Sequence, residues 1–311
     1  MNEELEWLEK VSVVEEVDNM SSITWSCHHA PQRRSGRFEV SITSLLPLLR
    51  EQAHSVAIIK HVMNKIKDTV ALLNPQQTPI IAADQPLFAV AKQIQWHWPD
   101  IYGEDKFVIM FGGLHIEQAA LKTIGALLQG SGWTSALVES GIATAGTAES
   151  FLPACSISKT RQAHQITSAC LYNLLKTAYS HCCSKLSDSD YAGVKSLEEW
   201  CHKRQEESPL FQFWYLVLAM ELSILTFIRS IREGNFQLYC DALYELIPYF
   251  FANNNINYAR WLPIHMQDML SIEKHHPVVG SEFRNGNFVI HKSNIREWRS
   301  VAAWTCVFIL H

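Results

Sequence analysis

The chain has 311 residues, 48% of them hydrophobic and 18% charged, with a formal net charge of −5. That length and apolar content suffice for one large domain or two smaller ones. The mild acidity excludes a broadly basic nucleic-acid-binding surface and leaves only local patches for such contacts.

The first stretch, MNEELEWLEKVSVVEEVDNM, carries seven acidic residues in its first 18. A secretory signal needs a basic start and an apolar run, so the eight cysteines are expected to be reduced, in the nucleus or cytoplasm. Residues 1–54 read as an acidic amphipathic helix (1–20) followed by loops. One loop is APQRRSGR at 30–37, whose Arg33, Arg34 and Arg37 are candidate phosphate contacts or simply solvated charges. From 55 to 73, Val56, Ile59, Met63, Ile66, Val70 and Leu73 recur in steps of three and four, predicting a helix with one buried face. Asn74-Pro75 ends it.

Residues 55–114 form the α/β portion, with strands near 79–83 and 107–111. Ile80 to Ala83 is a short apolar run that stops at Asp84. Pro86 suits the first turn of a helix running to about Trp96, and Phe107 to Phe111 is a second buried strand. Strand, helix and strand at this spacing predict a parallel pair with a right-handed crossover. Ligands in such sheets gather at the carboxyl ends of the strands. Asp84 and the segment Gly112-Gly113-Leu114-His115 are therefore expected at one edge.

From 115 to 275 the pattern is helical. Ile116, Ala119, Ala120, Ile124, Leu127 and Leu128 line one face, and GSGW closes that helix. GIATAGTAES reads as a loop, and helices follow near 158–183, 196–206, 209–232, 236–251 and 255–273. FQFWYLVLAMELSILTFIRSI is nearly long enough to span a bilayer. Glu221 at its centre would be costly there, so a buried core helix is expected and no membrane partner. Residues 276–311 read as an irregular tail. The fold class is thus α/β with predominant helix.

Two residues stand out chemically. Asp84 either holds a divalent metal, as carboxylates at strand ends do, or caps the following helix. His115 is either a site residue or a hydrogen-bonded structural histidine. No phosphate loop and no nucleophile elbow is present. His181-Cys182-Cys183 and Cys201-His202 lack zinc-ligand spacing. Arg260 and Trp261 either stack on a base or pack in the core.

Four longer segments resemble a large uncharacterised family of animal genomes derived from transposable elements: ADQPLFAVAKQIQWHWPDIYGEDKFVIMFGGLHIE, LLQGSGWTSALVESGIATAGTAESFL, TRQAHQIT and NYARWLPIHMQDM. The resemblance extends over about residues 22–292. It implies remote kinship to transposases with an RNase H-like core, in which three carboxylates hold two metal ions for phosphoryl transfer. On that analogy Asp84 is the second carboxylate, His115 lines the same edge, the ions are Mg2+ or Mn2+, and the partner is DNA. Relatives carry an Asp-Asn segment upstream and an Asp-Gln-Ala-His-Glu segment downstream of FVIHK. The chain is read as starting after the first of these, and in place of the second it closes on SNIREWRSVAAWTCVFILH, a tail read as aberrant. The expectation is a truncated, catalytically inactive remnant; the other reading is a helical interaction or scaffold protein without a catalytic site.

Overall fold

The computed structural model describes residues 2–13, 24–30, 55–185, 196–291, 301–302 and 307–309. Arg33, Arg34 and Arg37 lie outside these residues. The chain opens with α1 (Asn2–Ser12), α2 (Trp25–His29) and α3 (Val56–Leu73). Then come β1 (Ile80–Ala83), α4 (Gln85–His97), α5 (Pro99–Tyr102), β2 (Val108–Phe111) and α6 (Gly113–Leu128). Helices α7 (Trp133–Glu139), α8 (Ala145–Phe151), α9 (Ile157–Lys185), α10 (Leu197–Glu207) and α11 (Pro209–Glu233) follow. The last elements are α12 (Phe236–Ala252), α13 (Ile256–Leu270), α14 (Ile272–His275), α15 (Pro277–Arg284), β3 (Ile290–His291), β4 (Val301–Ala302) and β5 (Val307–Ile309). Helix predominates, as the periodicity predicts.

The chain packs as two compact units, one comprising Met1–Pro31 and Leu121–Thr226, the other Gln32–Ala120 and Phe227–His311. The helices after residue 227, grouped by sequence with 115–275, thus pack in the unit that contains the sheet.

In that α/β unit, Ser55 caps α3 by accepting the Ile58 amide at 3.2 Å. Ile59, Met63, Ile66 and Val70 are buried, while the outer members of the predicted stripe, Val56 and Leu73, are exposed. Strands β1 and β2 pair in parallel from Ile80↔Val108 to Ala83↔Phe111. All eight of their residues are buried, which is why both read as unbroken apolar runs rather than alternating ones. Helix α4 is the crossover between them. Its Phe88 is fully buried with its ring 4.8 Å from that of Phe111, a burial that contributes about 1.5–3 kcal/mol.

On its other side β1 pairs antiparallel with β5, Ile80↔Ile309 to Ala82↔Val307, giving the order β2-β1-β5. The region read as an irregular tail therefore contributes helix α15 and the third strand. Val307, Phe308 and Ile309 are strong β-formers, and they satisfy backbone groups on an edge that would otherwise lack partners.

The outer edge of β2 is closed by side chains instead. Gln95 Nε2 donates to the Phe107 carbonyl at 2.9 Å, and the Phe111 amide donates to His265 Nδ1 at 3.5 Å. Covering an edge in this way prevents a further strand from pairing there. With Nδ1 accepting, the His265 proton sits on Nε2, 2.8 Å from the Tyr239 hydroxyl, to which it donates. Burial, assisted by the positive charge of Lys92, holds the His265 pKa down to about 3 from 6.5. Below pH 6.5 the unfolded chain takes up a proton that folded His265 refuses, so stability falls by about 1.4 kcal/mol per pH unit until the folded value is reached. His265→Gln removes this contribution. The stability lost between pH 7 and pH 5 in urea unfolding is expected to be smaller in the variant by about 2 kcal/mol.

In the helical unit, α1 docks on α9 through buried Trp7 and Leu8, with Lys176 2.9 Å from Glu9 and the Tyr172 hydroxyl donating to the same carboxylate. Gly125 of α6 lies so close to residue 152 that a Cβ there would sit 2.1 Å from the Leu152 carbonyl oxygen, so only glycine fits. Within the predicted loop GIATAGTAES, residues from Ala145 onward form α8. That helix buries only Ala148 and Phe151, too short a stripe to display a period. Helix α11 is long and apolar enough to cross a membrane, yet 61% of its most apolar window is buried in the protein. The expected helix over 255–273 is divided at Ser271 into α13 and α14.

Candidate functional site

The parallel pairing brings Asp84, which follows β1, and Gly112, which follows β2, to the same edge of the sheet. The Gly112 amide continues the ladder by donating to the Ala83 carbonyl at 2.8 Å. Gly113 opens α6, and His115 occupies its first turn, half-buried. The expected juxtaposition at the carboxyl edge is therefore present.

The Asp84 carboxylate, however, serves as the N-cap of α4. Its Oδ1 accepts the Leu87 amide at 3.2 Å, satisfying one of the four unpaired amides that every helix start presents. The third member of the edge is Tyr258 of α13, whose hydroxyl donates to the His115 carbonyl at 3.2 Å. Its ring lies 5.4 Å from Phe111 and 5.3 Å from Phe250. Burial pushes the Tyr258 hydroxyl up to about 12, and the negative charge of Asp84 adds to the effect, so the phenol stays neutral near pH 7. The Asp84 carboxylate and the neutral Tyr258 phenol thus stand at this edge beside the His115 backbone. Among the described residues no group of three ligating side chains includes Asp84. Asp84→Ala is expected to lower stability by about 1 kcal/mol through loss of the cap, measured by urea denaturation.

Other sequence candidates resolve into structure. Trp261 is buried, stacked 5.9 Å from Trp96 and edge-on to Phe88, while Arg260 is exposed. His275 ends α14, and His276 Nε2 lies 2.6 Å from the Glu104 carbonyl. Cys201 is buried, and burial pushes its thiol up to about 11, which makes it a poor nucleophile.

Two buried polar clusters were not visible in the sequence. In the α/β unit, Lys92 is 1% exposed with Nζ 2.6 Å from Glu104 and 2.8 Å from Asp268. In the helical unit, His164 Nδ1 is 2.7 Å from Glu221 Oε1, both side chains essentially inaccessible. Tyr258 and His265 are seven positions apart on α13, a helical repeat that marks one face. That spacing was the available signal for both.

No curated protein and no solved structure matches this chain. A family model described as a domain of unknown function, DUF8702, matches residues 24–190 and 190–307. With nearly the whole chain covered, the protein belongs to the DUF8702 family.

Proposed function

We propose that this protein descends from a transposable-element-encoded, metal-dependent DNA-processing enzyme with an RNase H-like core, and that it does not itself cleave DNA. Two features support the ancestry. The order strand, acid, helix, strand and then a long helical stretch agrees with such cores, and Asp84 and His115 share the carboxyl edge of β1 and β2. The observation that carries the loss of catalysis is the use of Asp84 Oδ1 as a helix cap at an edge with no second and third described ligand.

The test is nicking of supercoiled plasmid in Mg2+ or Mn2+. Neither the wild type nor Asp84→Ala is expected to nick. Metal-dependent nicking abolished by Asp84→Ala would overturn the reading. A helical interaction or scaffold protein is the second reading, favoured by an open apolar groove in the helical unit. Gel shift at low salt separates the two, since residual phosphate contacts bind DNA most strongly there and a scaffold leaves DNA unshifted.

A further inference from the structure

We propose that the groove between α9 and α11 of the helical unit is a binding site for a neutral, chain-like apolar molecule. This goes beyond the ancestry argued above and rests on a different part of the protein.

The two helices are pinned at both ends of the groove. At one end His164 of α9 bonds Glu221 of α11 at 2.7 Å. At the other, Trp200 of α10 lies against Tyr179 of α9 and Phe211 of α11, at ring distances of 5.6 and 5.4 Å. Between these anchors the walls stay apart and enclose about 640 Å3, within the roughly 300–1,000 Å3 of small-molecule pockets. Ile166, Cys170 and Leu174 line the α9 wall, and Trp214 and Leu218 face them from α11.

The floor is rigid. Trp133 Nε1 donates to Thr167 Oγ1 at 2.8 Å, and its ring stacks 5.0 Å from that of His164. Two leucines of the groove, Leu174 and Leu210, remain 66% and 69% exposed. Leaving such side chains in water is unfavourable unless something covers them.

Charge and shape choose the occupant. None of the described residues lining the groove is Asp, Glu, Lys, Arg or His, so an ionised group drawn inside would find no counter-charge. From His164 to Tyr179 the helix advances about 22 Å. Spread over that length, the 640 Å3 makes the groove much longer than it is wide. A hydrocarbon chain matches that shape and that uncharged lining.

Cys170 in the groove and Cys155 outside it are both exposed thiols of the same unit, which provides an internal control. The experiment alkylates the full chain with iodoacetamide and follows each thiol by peptide mass spectrometry, with 1-dodecanol or dodecanoate as the probe. Dodecanol at ten times its dissociation constant is expected to slow Cys170 about elevenfold and to leave Cys155 unchanged. Dodecanoate should protect more weakly. Ala178→Trp, which fills the groove from α9, should remove the protection while far-ultraviolet circular dichroism is retained.

Equal alkylation of both thiols under saturating dodecanol would overturn the proposal, as would stronger protection by the carboxylate. Protection of Cys170 without any probe, rising with protein concentration, would also overturn it and would assign the groove to a second copy of the chain.

Discussion

Replacing His164 with alanine is expected to lower the unfolding free energy by about 3–5 kcal/mol, because it strands the buried Glu221 carboxyl without its partner and empties the space of a buried ring. Glu221 is fully buried, and burial raises its carboxyl pKa, with the nearby His164 only partly offsetting the rise. Among the described residues its Oε2 has no hydrogen-bond partner, so Oε1 and its bond to His164 Nδ1 supply the stabilising contact. The alanine variant also removes the ring on which Trp133 stacks. Glu221→Gln behaves differently, since it keeps the shape and a hydrogen-bonding group while removing the ionisable proton. The folded pKa of Glu221 lies above its unfolded value near 4.5. The associated stability is complete below that unfolded value and is lost as pH rises through the folded one. The wild type therefore loses at this site between pH 5 and pH 8 what the glutamine variant retains. Urea unfolding at both values should show the variant gaining on the wild type as pH rises, and an unchanged difference would place the raised carboxyl elsewhere.

This pair shows where sequence reading stops. Glu221 was legible as an anomaly in an apolar helix, and its cost in hydrocarbon argued for a protein interior. Its partner lies 57 positions earlier on a different helix, and no periodicity links the two. The elements themselves were legible because their signals are local: short apolar runs at Ile80 to Ala83 and Phe107 to Phe111 for β1 and β2, Pro86 for a helix start, and regular spacing for α3. The carboxyl-edge placement of Asp84 and His115 followed from the crossover rule alone. Tyr258 reaches that edge from 143 positions beyond His115. The third strand was invisible for the same reason: Val307 to Ile309 is a β-prone run, but only the fold tells that β1 has an edge free to receive it. Whether Asp84 holds a metal or caps α4 is likewise a matter of which groups surround it, and the side-chain hydrogen bond to Leu87 is information that residue order does not contain.

Lys92→Met is expected to cost about 2–4 kcal/mol, somewhat less than a fully buried pair because both partners keep some solvent contact. The methionine retains most of the aliphatic stem that packs in the core, so the loss reports the charge. In the wild type Glu104 lies below its ordinary value: burial pushes it up, but the hydrogen bond and charge of Lys92 outweigh that. Asp268 is raised by burial in spite of Lys92, with Glu104 pushing in the same direction. Without the ammonium, Asp268 retains its burial and its acidic neighbour and loses the attraction that offset them. Its pKa rises further, and the associated stability is lost as pH rises through it. The deficit of Lys92→Met should accordingly be larger at pH 8 than at pH 5, and Lys92→Met with Asp268→Asn should recover much of it, because removing both charges strands neither. A double variant no better than Lys92→Met would refer the loss to packing. The cluster also joins the crossover helix α4, the segment before β2 and helix α13, and α13 carries His265 to the edge of the sheet. Loosening α13 should therefore appear at a distance, as faster hydrogen exchange of the Phe111 amide that His265 accepts, before global unfolding exposes the rest of β2.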